Sequence, residues 1–134
     1  MEVKVSQADG FRFAIPARSH IITSDQPLDN GGEDSGMTPP EFLLASLGSC
    51  ATYFAVEHLR TRNLAQTGQE VSVTAEKLLQ PARLGDFRIH VLSPAQLTPK
   101  DRDGLIRAVH GCLVHNTLLS PPEIKIDVTS VGAQ

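Results

Sequence analysis

The stretch that most limits what this chain can fold into is TPPEFLLASLGSCATYFAVEHLRTRN, residues 38–63. It begins with a strong helix-start signal. Thr38 suits the N-cap, Pro39 suits the first helical position, and Glu41, three residues after Thr38, completes a capping box. Phe42, Leu43, Leu44, Ala45, Leu47, Ala51, Phe54 and Ala55 then cover almost the whole circumference. Polarity returns only at Glu57, Arg60 and Arg62, and Asn63 can end the helix. A helix that is apolar all round calls for burial on most sides. At 1.5 Å per residue it would run ~37 Å, longer than a compact chain of 134 residues easily covers by itself. A partner subunit is the simplest source of the missing cover. In the middle stands one cysteine, Cys50, which either fills space or does chemistry.

The rest of the chain supplies strands and a second helix. Glu2–Val5 and Phe11–Ile15 alternate polar and apolar residues as half-buried antiparallel strands do, and His20–Thr23 is a third candidate. Residues 24–37, SDQPLDNGGEDSGM, collect turn formers and must be a loop. Val71–Glu76 and Phe87–Val91 alternate again around the turn-rich PARLGD, which predicts a hairpin. Ile124–Val128 reads as a closing strand. This order predicts an α+β domain over residues 1–134, with helices on one side of an antiparallel sheet.

The second helix starts at Thr98, with Pro99 behind it and Asp101 and Asp103 where the helix dipole favours negative charge. Leu105, Ile106, Val109, Cys112 and Leu113 fall at helical spacing as its inner stripe, and Pro121–Pro122 forbid continuation. Neither Cys50 nor Cys112 has a nearby cysteine for a CxxC pattern. They are two inert core residues or a pair brought together by the fold.

Composition excludes several classes. The formal net charge of −3 leaves no basic excess for nucleic acid or an anionic membrane. The charge-free run from Phe42 to Val56 is short and broken by Ser46, Gly48 and Ser49, so no bilayer span is expected. MEVKVSQADGFRF has no apolar core behind a basic start, so no signal peptide is expected and a cytoplasmic location is. Five histidines and two cysteines without clustered carboxylates give no metal-ligand spacing.

Two stretches together, GGEDSGMTPPEFLLASLGSC (31–50) and HGCLVHNTL (110–118), resemble the OsmC/Ohr family of osmotically inducible and organic-hydroperoxide-resistance proteins. The resemblance extends over most of the chain. It implies the OsmC-like fold and an intertwined homodimer with active sites at the subunit interface. It also implies a thiol peroxidase without metal or organic cofactor. Cys50 would be the peroxidatic thiol that attacks a hydroperoxide, Cys112 would resolve it as a disulfide, and an external dithiol would reduce the pair. The alternative is a redox-sensing or small-molecule-binding dimer on the same scaffold.

Family peroxidases hold the thiolate with an N-terminal arginine, itself held by a glutamate at the start of the central helix. Here Pro40 stands ten positions before Cys50, where that glutamate usually lies, and Glu41 is nine before. Nine steps of about 100° put Glu41 opposite Cys50 on the helix, as a capping residue is placed; a role across the dimer is the other option. Arg18 is the candidate arginine and Arg12 the second. His115, three residues after Cys112, could approach its sulfur, or could simply be a helix-end histidine favoured by the dipole.

Overall fold

Over residues 1–132, which the computed structural model describes, alternation and capping place the elements in the predicted order. They are β1 (Ser6–Asp9), β2 (Arg12–Ala17), β3 (His20–Ser24), α1 (Pro39–Thr61), β4 (Glu70–Leu78), β5 (Arg83–Leu92), α2 (Pro99–Val109) and α3 (Leu113–Leu119). The strands make two antiparallel sheets, β1–β2–β3 and β4–β5. Ile15 faces Ile22 in the first, and Val73 faces Ile89 in the second. The β4–β5 hairpin is longer than predicted. The last four residues of PARLGD belong to β5, and the ladder slips between Thr74 and Glu76, close to where Asp86 takes a positive φ of 50°.

The first strand forms at Ser6–Asp9 and not at Glu2–Val5. Ser6 pairs with Ala14, and the same register carried further would set Lys4 against Pro16, which has no N–H to give. The 24–37 loop is organised around buried Asp25. Its carboxylate accepts the N–H of Gln26 (2.8 Å), Glu33 (3.2 Å) and Ser35 (3.1 Å) and the Ser35 hydroxyl (2.6 Å). The Ser35 hydroxyl, then the Gln26 and Ser35 amides, hold this carboxyl down at about 2.

In α1 the buried residues are Leu47, Gly48, Ala51, Ala55, His58 and Leu59. They form one stripe against β4 and α2, and Ala51, Ala55 and Leu59 join Leu105 and Val109 of α2 in the core. The opposite flank is open: Ala45, Ser46 and Ser49 are exposed and Tyr53 is 63% exposed. The expectation of burial on most sides is therefore not met by one chain, whose sheets and helices reach a single stripe of α1. By length and composition α1 is long and apolar enough to cross a bilayer, unlike the shorter charge-free run. Two glycines set close approaches. A Cβ on Gly48 would stand 3.1 Å from Val73 Cγ2, and one on Gly104 would stand 2.7 Å from Cε1 of buried His58.

The second predicted helix is two helices. α2 starts with a full capping box: Thr98 donates its N–H (3.2 Å) and hydroxyl (2.7 Å) to Asp101, whose N–H returns to Thr98 Oγ1 (3.1 Å). It stops at Val109, where the N–H groups of Gly111 and Cys112 turn back onto Ala108 (2.9 Å) and Val109 (3.0 Å). Cys112 then takes the non-helical φ −59°, ψ 122° of an N-cap. It is buried, but as the cap of α3 and not as part of a continuous stripe, and Leu113 beyond it is exposed. The strand expected at Ile124–Val128 is also absent. Among the described residues 121–132 carry no helix or strand, and Ile124, Ile126 and Val128 are 80%, 88% and 85% exposed. The alternation is there, but neither sheet of this chain supplies the segment with a neighbouring strand.

Candidate functional site

α1 carries Cys50 on the turn that meets the start of α3. The Cys112 side chain and the backbone N–H groups of Val114 and Leu113 are the groups that favour ionisation of Cys50. Cys112 Sγ in turn accepts the N–H of His115 at 3.3 Å. Both cysteines are free thiols, Cys50 partly exposed and Cys112 0% exposed. The fold thus brings together two residues that lie far apart in sequence.

Their environments push them in opposite directions. Burial raises the Cys50 thiol, but the hydrogen bonds from Cys112, Val114 and Leu113 outweigh it, so Cys50 ionises below the ordinary thiol value. Burial raises Cys112, and its hydrogen bond to Cys50 raises it further; the His115 amide opposes this only in part. Of the two sulfurs Cys50 is therefore the one favoured to ionise first. A thiolate is the nucleophilic form of cysteine. The accessible member of this pair is the activated one.

The other candidates lie elsewhere in the chain. Glu41 accepts the hydroxyl of Thr38 (2.7 Å) and its N–H (3.4 Å), closing the first turn of α1. Arg18 is exposed in the β2–β3 turn with a positive φ of 54°. Arg12 is ion-paired with Asp9. No guanidinium is among the groups that set the ionisation of Cys50. His115 meets Cys112 through its backbone, while its imidazole stacks on His110 with centroids 5.3 Å apart. Among the described residues no three His, Cys, Asp or Glu side chains gather where a metal ion could sit.

Two features escaped the sequence reading. Asp25 as the anchor of the loop has only a weak signal, one of four acids in a Gly-rich segment. The other is a groove of about 880 Å³ between β5, α2 and α3, walled by side chains such as Phe87, Ile89, Ile106 and Leu118. Arg102 and three histidines line it and no Asp or Glu does. Neither cysteine lines the groove, although His110 and His115, which flank Cys112, both do.

A mixed α/β frame that presses an ionising thiol against a buried second one defines a dithiol protein. The chain belongs to the OsmC-like family, whose model, described as OsmC-like protein, matches residues 32–127. Its fold is similar to that of a protein from Psychrobacter arcticus, at TM-score 0.78 and 22% identity, covering 86% of this chain and 85% of that one. The OsmC like protein from Mycoplasma pneumoniae superposes at TM-score 0.77 with 18% identity, over 90% and 87% of the two chains. The organic hydroperoxide resistance protein OhrB of Bacillus subtilis does so at 0.62 with 16% identity, over 90% and 93%. No curated protein matches the sequence.

Proposed function

We propose that this protein is a thiol peroxidase that reduces organic hydroperoxides, acting as a homodimer in a reducing, cytoplasmic compartment. The observation that carries the reading is the opposed pair of free thiols: Cys50 partly exposed and pushed toward ionisation, Cys112 buried and pushed away from it. The Cys50 thiolate attacks the terminal oxygen of the hydroperoxide. The O–O bond breaks, the alkoxide takes a proton and leaves as alcohol, and Cys50 becomes a sulfenic acid. The Cys112 sulfur then attacks Cys50, water leaves, and a disulfide forms. An external dithiol returns two electrons and two protons. Family membership and the likeness to an organic hydroperoxide resistance protein of Bacillus subtilis support this chemistry.

Within one chain neither Arg18 nor Glu41 contributes to the ionisation of Cys50, so their part in this reading requires a second copy. Two surfaces support such a copy: the open flank of α1, and the unpaired segment around Ile124, Ile126 and Val128. Light scattering should give a dimer at micromolar concentration, and a monomer there overturns the assembly.

Stoichiometric cumene hydroperoxide should remove two hydrogens from the intact protein by joining Cys50 to Cys112, and Cys50→Ser should abolish turnover. Unchanged mass in excess peroxide ends the peroxidase reading. The apolar groove favours a second reading, a redox-sensing dimer that binds a small molecule. That reading predicts a Cys50 thiol near the unperturbed value of about 8.5 and no catalytic turnover.

A further inference from the structure

We infer that His58 is a proton-operated latch between α1 and α2: taking up one proton breaks its bond to Arg62 and loosens the seat of α2 on α1. The inference stands apart from the peroxidase reading, and its test does not involve the thiols.

His58 lies in the last turn of α1 and is only 8% exposed. Its Nδ1 is 3.1 Å from Nη1 of Arg62, one turn further on. A guanidinium only donates, so Nδ1 accepts, and the single proton of the neutral ring sits on Nε2. Nε2 is buried and has no hydrogen-bond partner among the described residues. The ring is thus held uncharged and in one tautomer. α2 fixes it from the other side. A Cβ on Gly104 would stand 2.7 Å from Cε1 and 3.1 Å from Nε2, so only a glycine lets this helix come so close. Glycine within a helix weakens it relative to alanine; here it makes the seat for the ring.

Arg62 ties the same junction to the start of α2. It is the C-cap of α1, and its Nε lies 4.0 Å from the carboxylate of Asp101, which accepts the Thr98 hydroxyl in the capping box of α2. Contacts therefore run from the ring through the guanidinium to the N-cap of α2. A second proton on the ring would turn Nδ1 into a donor facing a donor and set two cations side by side. The guanidinium has to leave, and its hold on Asp101 goes with it.

The surroundings decide the direction. Burial, then the Arg62 charge, keep His58 from ionising until below the ordinary histidine range, and Arg107 of α2 adds to this. Asp101 favours the charged ring through its backbone and its carboxylate, but it closes no hydrogen bond to Nε2 and does not outweigh the others. β4 and β5 bring Val71, Ile89 and Val91 to the adjoining core. The unfolded chain takes up this proton near about 6.5, and the folded one resists it. The stability that the neutral ring contributes is therefore full above about 6.5, falls as the pH drops below that value, and is gone once the folded ring is charged.

Hydrogen–deuterium exchange read by mass spectrometry tests the latch on the whole protein at about pH 7.5 and about pH 5.5, where a histidine switch changes state. His58→Gln is the comparison, since glutamine keeps an oxygen to accept from Arg62 and does not titrate. After correction for the intrinsic pH dependence of exchange, the wild-type amides of residues 99–109 should lose protection roughly fivefold or more in acid. That is the low end of what a buried, unsatisfied polar group costs. His58→Gln should lose clearly less. Should the glutamine variant not fold, Arg62→Met takes its place, because without the neighbouring cation the acid loss should shrink. Proton NMR of the wild-type imidazole should place its titration below about 6.5. Equal acid losses in wild type and variant, unchanged α2 exchange in wild type, or a ring that titrates at or above the ordinary value each overturn the latch.

Discussion

α2 and α3 follow one another across a short turn, yet they are held by different chemistry. α2 begins on the oxygens of Thr98 and Asp101 and sends Leu105 and Val109 into the core beside Leu59. α3 begins on the sulfur of Cys112, which accepts the His115 N–H at 3.3 Å, and buries nothing. Oxygen caps and apolar packing do not respond to an oxidant, whereas a thiol cap does. The fixed and the responsive parts of the site are therefore sequence neighbours, and Cys112 stands on the border between them.

The sharpest way to break this contrast is through the core. Leu105→Ala should cost about 2–5 kcal/mol of global stability by urea unfolding, while Leu118→Ala on α3 should cost less than about 1 kcal/mol. Equal costs would mean that α3 is packed as firmly as α2. The caps come next. Thr98→Ala should cost about 1 kcal/mol, and the same amount in reduced and oxidised protein. A cost that depends on the thiol state would remove the distinction between the two helix starts. The smallest effect is in reactivity. A thiol whose pKa is lowered exposes thiolate at lower pH, so alkylation of Cys50 by iodoacetamide should reach its midpoint below about 8.5, with Cys112 lagging above it. The reverse order would exchange the roles of the two sulfurs.

Much of the frame could be read from residues alone because its signals are local. Thr38, Pro39 and Glu41 mark the start of α1, Thr98 and Pro99 mark that of α2, and the alternation in Val71–Glu76 and Phe87–Val91 gives the hairpin. The break before α3 was hidden because Leu113 continues the helical spacing of Val109 and Cys112; only the backbone turn at Gly111 decides it. Ile124–Val128 shows the other limit. Alternation tells which residues of a strand share a face, but not whether a neighbouring strand exists in the same chain. The pairing of Cys50 with Cys112 was legible only as a possibility, since spacing within each helix says nothing about how two helices cross. Asp25 was missed because its partner Ser35 lies across a loop whose path no periodicity describes.

Gly48 lies two residues before Cys50, on the side of α1 that rests on Val73. A methyl group there would meet Val73 Cγ2 at 3.1 Å, so the valine or the helix would have to give by a few tenths of an ångström. A side chain there would act as a shim between α1 and β4, two residues from Cys50. Reactivity in this molecule can be tuned from behind the helix, by a residue that never meets the substrate.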